Sequence, residues 1–299
     1  MARMLVMPQD WPKRLHEWVA MERGYFDEQG LDFRFQASPP EWDDILPGGF
    51  VRQQHEQIVR EEATGFCDCS WGVLVSTGAG AGRFIPDFYT ECHTCIYAHP
   101  GSGITKPEDL AGRPIAVSEL TGSHFSTVEA LERYIDRDQI KLHFTTARYS
   151  DAAFYLRLKE LLDGTVPAAN LLDIPGGPLR QIAERHGMKL VLDGTFKRLD
   201  YFSASIPEED IKKFAGAIGM AQEELDRNAD DYFHYLWREV PRLEKLFGTE
   251  IDVRKIRHSP RVVFEPFDQQ QFDDTLRWMD ERGMSERMKS REYVNLVAH

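Results

Sequence analysis

Segments that read as short strands alternate with amphipathic helices through the first two-thirds of this 299-residue chain, and no other feature limits its fold as strongly. Leu5-Val6-Met7 is a strand, Leu15, Trp18, Val19 and Met21 recur at helical spacing, and Leu31-Asp32-Phe33-Arg34-Phe35 alternates apolar and polar with a period of two. The chain therefore opens β-α-β, with Gly24 stopping or bending the helix. The order returns further on. Ile115 to Val117 is a strand, and the next helix carries Val128, Leu131, Tyr134 and Ile135 on one face. Lys141 to Thr146, Asn170 to Ile174 and Lys189 to Asp193 then read as strands, separated by helices over Ala152 to Leu162 and Pro178 to His186. Such repetition argues for an α/β protein with mainly parallel sheets flanked by helices. After Tyr201 the character changes: Glu208 to Asn228, Asp231 to Trp237 and Gln269 to Arg282 read as helices, so the C-terminal third is a mostly helical cover.

Composition narrows the partners. With 42% hydrophobic and 28% charged residues the chain can bury a core, and its formal net charge of -13 repels nucleic acid and anionic membrane surfaces. Its longest apolar candidate, Trp71 to Ala81, is well short of the roughly 20 residues a bilayer helix needs, so no membrane insertion is expected. Met1 to Met7 reads as a strand, without the marks of a secretory signal. The expected location is the cytoplasm for the sequence as it stands, or the periplasm if a signal has been removed.

Between the regular segments, the Pro-, Trp- and Asp-rich stretch Ser38 to Phe50 is long enough to be a lid, and a polar helix is expected near Val51 to Glu62. Gly65 to Cys69 reads as a strand ending in a turn, and the extended residues Phe84 to Ala98 as a crossing between lobes.

Ala20 to Leu31, AMERGYFDEQGL, and Gly103 to Val117, GITKPEDLAGRPIAV, resemble two characteristic segments of the substrate-binding proteins for sulfonates, nitrate and thiamine precursors, the SsuA/THI5-like (NMT1-like) family. Weaker similarities fall at Thr121 to Ser126, Asp163 to Pro175 and Arg180 to Leu192. The resemblance implies a two-lobed type II periplasmic-binding-protein fold. Lobe I would be residues 1–98 plus 196–299 and lobe II residues 99–195, joined by crossing strands, with a small organic anion bound between them and an ABC permease as partner. The sequence departs from the family in starting at its first strand and in carrying Cys67 and Cys69 near the usual cleft positions.

Several residues are candidates for ligand binding. Thr121-Gly122-Ser123-His124 precedes a helix, where free N–H groups, hydroxyls and the helix dipole favour a carboxylate, sulfonate or phosphate. The plainer alternative is that Ser123 or Ser126 only caps the helix, Ser126 and Glu129 having capping-box spacing. His124 offers a charge or a proton near neutrality, or is a polar filler. Asp10, Trp11 and Trp42 lie on loops expected at the mouth of lobe I, while Ser70 and Trp71 after the third strand and Pro175 complete the set.

Cys67-x-Cys69 places two thiols on one strand face, and Cys92-His93-Thr94-Cys95 adds two more with an imidazole. Four such ligands gathered together suit iron, zinc or an iron–sulfur cluster; the alternative is four small buried core residues. No dinucleotide fingerprint, P-loop or nucleophile elbow occurs. Two functions follow: a binder of small organic anions, or a cytoplasmic enzyme on the same fold, a metal-dependent synthase or a decarboxylase/lyase, using the four cysteines.

Overall fold

The structure, a computed structural model, describes residues 4–8, 14–36, 64–145 and 152–298. The opening unit is β1 (Leu5–Pro8), α1 (His16–Arg23), α2 (Tyr25–Glu28) and β2 (Phe33–Gln36), with β1 and β2 parallel and Leu5 opposite Phe33. Gly24, left-handed at φ 75°, separates the two helices as its sequence position predicts. Next come β3 (Gly65–Cys69), α3 (Ser70–Gly78), β4 (Arg83–Phe84), β5 (Tyr89–Ala98), β6 (Pro114–Val117), α4 (Gly122–Leu131) and β7 (Lys141–Phe144). These are followed by α5 (Ala152–Leu162), β8 (Ala168–Leu171), α6 (Pro178–Arg185) and β9 (Lys189–Phe202). The C-terminal third holds α7 (Glu208–Asn228), α8 (Val240–Phe247), β10 (Arg261–Val263), α9 (Gln269–Asp280) and α10 (Tyr293–Leu296). It is the helical cover expected, although Ala229–Asp231 and Phe233–Trp237 are tight 3-10 turns where one helix was expected.

The main sheet runs β3-β9-β5-β8-β6-β7, with β10 added to β5 and β4 to β9. Parallel pairing occurs at β6–β7 and β6–β8, as β-α-β alternation requires, but every pair involving β5 or β9 is antiparallel. The sheet is therefore mixed where mainly parallel pairing was expected. Lys189 to Asp193, the stretch expected as a strand, already runs antiparallel to β5, and β9 continues past it to Phe202, so a 14-residue strand lies along the 10-residue β5 and sets the antiparallel direction. One end of this long pair carries β3, β4 and β10, and the other end of β5 carries β8, beyond which lie β6 and β7.

Burial follows the same geometry. A helical cluster forms where α7 packs on α1 and α2, with Phe214 5.9 Å from Phe26. A second cluster centres on the middle of the sheet and includes Phe66, Cys69, Trp71, Cys92, Phe125, Phe196 and Phe272. It joins α3, the long strands, α4 and α9. Gly82 allows the chain to close onto β9: at φ 130° its added Cβ would sit 1.8 Å from the Phe202 carbonyl oxygen.

Candidate functional site

The helices α3 and α4 start on the same side of the β5–β9 pair, and an aromatic stack joins them. The Trp71 ring, in the first turn of α3, lies 5.5 Å from Phe125 of α4 and 6.1 Å from Phe196 of β9, nearly parallel to both. Trp278 of α9 closes the group at 5.9 Å. Gly122 opens α4 directly against this wall; a Cβ there would meet the Phe196 ring at 3.2 Å and Leu172 at 3.3 Å. The structure thus brings together Ser70 and Trp71 with Thr121 to His124, segments about 50 residues apart in sequence.

The hydroxyls of the α4 loop are already committed. Thr121 Oγ1 donates to the Ser118 carbonyl (2.7 Å), Ser123 Oγ lies 2.9 Å from Thr121 Oγ1, and the Ser118 N–H donates to Ser123 Oγ (2.9 Å). Both lone hydroxyl protons are thereby used, Thr121's on Ser118 and Ser123's on Thr121. Leu120, at φ 53°, makes the tight turn that feeds the helix. What the loop can still offer a ligand is the first-turn main-chain N–H groups that no helix satisfies internally. The expected capping box at Ser126 is replaced by a start one turn earlier: Thr121 is the N-cap, and Ser126 is buried 2.9 Å from Thr94.

His124 is buried, and burial holds its pKa down at about 4. Its Nδ1 accepts the Leu120 N–H (3.1 Å), so the neutral ring carries its proton on Nε2. It is a neutral donor, not the cation considered from sequence.

Below these residues lies a polar floor that the sequence reading missed. Asn170 of β8 donates through Nδ2 to Thr94 Oγ1 (2.8 Å) and Thr127 Oγ1 (2.9 Å), and its main-chain carbonyl accepts from Arg157 Nε (2.7 Å). Arg157 also donates to Ser118 Oγ (2.6 Å). Nearer β3, Arg14 joins Glu17, Thr90 and Asp200 in a buried network, with both Asp200 oxygens within 3.0 Å. A charged residue on the apolar face of a helix is a readable signal, and Arg157 lies three residues from Phe154 and four from Leu161.

Across the sheet, His93 and His258 meet through their Nε2 atoms at 2.7 Å, and Arg180 grips Asp193 with two bonds of 2.7 and 2.8 Å. Burial lowers both histidine pKa values. Asp173 organises the neighbouring turn, accepting the N–H groups of Ile174, Leu179 and Arg180; Pro175 is exposed on that turn. Asp10, Trp11, Trp42, the expected lid and the expected helix near 51–62 lie outside the described residues.

Of the two readings of the cysteines, the buried-core one fits the structure. All four cysteines are buried and unbridged, and no group of three or more His, Cys, Asp or Glu side chains among the described residues is arranged to hold a metal ion. Strand geometry explains this. Cys92 and Cys95 are three apart on β5 and face opposite ways, while Cys67 and Cys69 on β3 are separated from β5 by the whole of β9. The thiols serve locally: Cys69 Sγ accepts the Gly72 N–H (3.3 Å), and Cys95 Sγ donates to the Leu171 carbonyl (2.7 Å). Burial pushes the Cys67 and Cys95 thiols well above the usual range, away from the thiolate a metal requires.

No protein-family model matches the chain, and no curated protein matches it. Solved structures do. The alkanesulfonate-binding protein SsuA of Xanthomonas axonopodis pv. citri, bound to MOPS, is similar with a TM-score of 0.64 and 15% identity, covering 98% of this chain and 96% of that one. A Candida albicans gene product with the generic periplasmic binding protein fold gives 0.65 at 12% identity, covering 100% and 98%. The desulfurization enzyme DSZB gives 0.56 at 15% identity, covering 98% of both chains. These likenesses run the length of the molecule, and the chain has the two-lobed type II periplasmic-binding-protein fold that its sequence resemblance implied.

Proposed function

We propose that this protein binds a small organic anion in the cleft between lobe I, residues 1–98 plus 196–299, and lobe II, residues 99–195, and delivers it to an ABC permease. The observation that carries the reading is the meeting of two helix N-termini, those of α3 and α4, across the Trp71–Phe125 stack. The α4 end presents first-turn main-chain N–H groups and the positive pole of a helix dipole, which suits an anionic group, whereas at the α3 end the Gly72 N–H is already taken by Cys69 Sγ. The planar rings suit an apolar or flat remainder of the ligand. Ser70, Trp71, Gly122 and His124 are the proposed contacts, with Thr121 and Ser123 taking part through the main chain that their hydroxyls hold in place and Asp10, Trp11 and Pro175 at the margins. The likeness to SsuA bound to MOPS, a sulfonate, supports this class of ligand. The long β5–β9 pair is the proposed hinge, since β9 crosses from lobe II into lobe I and β5 ends at the boundary, which lets the lobes close as rigid bodies. Delivery to a permease implies a periplasmic location.

The alternative, a cytoplasmic enzyme built on the four cysteines, has less support because their side chains do not converge. The likeness to DSZB keeps catalysis within reach of the fold itself. Thermal-shift measurements in Tris buffer with MOPS, other alkanesulfonates, nitrate, acetate and uncharged analogues test the reading. Stabilisation by at least one anion and none by its uncharged analogue is expected. Stoichiometric iron or zinc in anaerobically purified protein, lost on C67S/C69S substitution and accompanied by indifference to every anion, would overturn it. Location is checked by fractionating cells that express the protein from its natural gene: a solely cytoplasmic protein cannot feed an importer.

A further inference from the structure

Arg157 is 1% exposed, yet no carboxylate pairs with it among the described residues. Its Nε and Nη1 bind a carbonyl and a hydroxyl, both neutral, at 2.7 and 2.6 Å. Its Nη2 is buried and has no hydrogen-bond partner among the described residues. The nearby carboxylate, Glu160, is engaged elsewhere, accepting from Thr145 Oγ1 and lying 3.5 Å from His143. A guanidinium stays charged in proteins, and an uncompensated buried ion is costly, so the complement it calls for is an anion. The Phe154 ring, 4.9 Å from the guanidinium carbon, offers only partial compensation.

The place of this charge is informative. Ser118, which holds Nη1, follows β6, and its own N–H donates to Ser123 Oγ in the first turn of α4. Ser118 thus links the guanidinium directly to the first turn of α4. We propose that Arg157 is the charge anchor of an anion subsite there: Nη2 donates to one oxygen of a sulfonate, carboxylate or phosphate, whose other oxygens take the first N–H groups of α4. This rests on the anion-binding reading and adds to it the residue that confers charge selectivity. A purely structural Arg157, tying α5 to β6 and β8, would affect folding but not the preference for an anion over an uncharged analogue.

Calorimetric titration of the full chain, in bis-tris propane chloride, with MOPS, 1-butanesulfonate, acetate, inorganic phosphate and the uncharged butyl methyl sulfone decides between these roles. In R157Q, binding of the anions the wild type takes is expected to weaken roughly 10- to 100-fold, the range for a charged hydrogen bond, with any sulfone binding unchanged. R157K should recover part of the loss. Equal anion affinity in wild type and R157Q overturns the anchor and leaves the anion-binding reading intact. A wild type that binds none of the four anions overturns both. Should neither Arg157 variant fold, S118A decides, because it frees Nη1 without removing the charge: a severalfold loss confined to anions supports the anchor, and unchanged affinities overturn it.

Discussion

His124 makes the stability of the site region depend on pH in a way that can be calculated. Its imidazole is 6% exposed, Nδ1 is occupied by the Leu120 N–H at 3.1 Å, and burial holds the pKa at about 4, against the ordinary histidine value of about 6.5. Protonation must break the Leu120 bond and bury a charge. Because the folded pKa lies below the unfolded one, the unfolded chain binds more protons between these values, and stability is lost as pH falls from about 6.5 to about 4. The drop from about 6.5 to about 4 gives a total near 3 kcal/mol, of which about 1.3 kcal/mol is lost between pH 7.5 and 5.5. His16, fully buried with its pKa also near 4, adds a slope of similar size, so the contribution of His124 must be read as a difference between proteins. The variant is His124→Gln, whose amide oxygen offers Leu120 N–H an acceptor and does not titrate. Urea unfolding of both proteins at pH 7.5, 6.5, 5.5 and 5.0 should give curves that converge as pH falls, by about 1.3 kcal/mol at pH 5.5. Parallel curves would refute the neutral, buried imidazole.

Trp71→Ala removes a ring packed within about 6 Å of Phe125, Phe196 and Trp278, and should lower stability by about 3–5 kcal/mol with an unchanged urea m-value; Trp71→Phe should lose much less. A loss below about 1 kcal/mol for the alanine variant would mean that the stack is not formed. Gly82→Ala drives a Cβ into the Phe202 carbonyl at φ 130°, and a loss of several kcal/mol is expected in the same assay, whereas Gly80→Ala, with open space around it, should show only the smaller left-handed backbone penalty. Arg14→Leu leaves Glu17 and Asp200 buried together without their cation and should destabilise by about 3–5 kcal/mol at pH 7.5, with partial recovery at pH 5 as a carboxylate takes up a proton. A variant equally unstable at both pH values would exclude carboxylate repulsion as the cause.

Local periodicity made much of the fold legible. The helices at 16–23, 152–162, 208–228 and 269–280, and most strands, fall where apolar spacing places them, because a helix or strand that buries one face records that face in its own sequence. The second half of β9 left no such record. Phe196 to Phe202 reads FKRLDYF, and its charged residues look solvent-facing until Arg14, just before α1, arrives to pair with Asp200. Helix α8 and strand β10 were likewise missed, each short and held by distant partners. The cysteines show the opposite failure: a strand's period of two, applied to positions 92 and 95, already sends those thiols to opposite faces. Proximity in sequence suggested a cluster that strand geometry forbids.

The α4 loop shows why residue type alone misdescribed the site. Thr121 and Ser123 were nominated because hydroxyls can bind anions, but their hydrogen bonds run to Ser118 and to each other, which fixes the turn that aims the helix N-terminus. Their role is to hold the main chain in position. Ser123→Ala separates contact from support. It leaves the buried Ser118 N–H without its acceptor and should lower stability by about 1–3 kcal/mol. Anion affinity should fall only as far as the turn loosens, and Ser123→Thr, which keeps the acceptor, should retain both. If Ser123→Ala instead weakens anion binding while unfolding at the wild-type urea concentration, the hydroxyl touches the ligand, and the hydrogen bond to Ser118 does not describe the bound state.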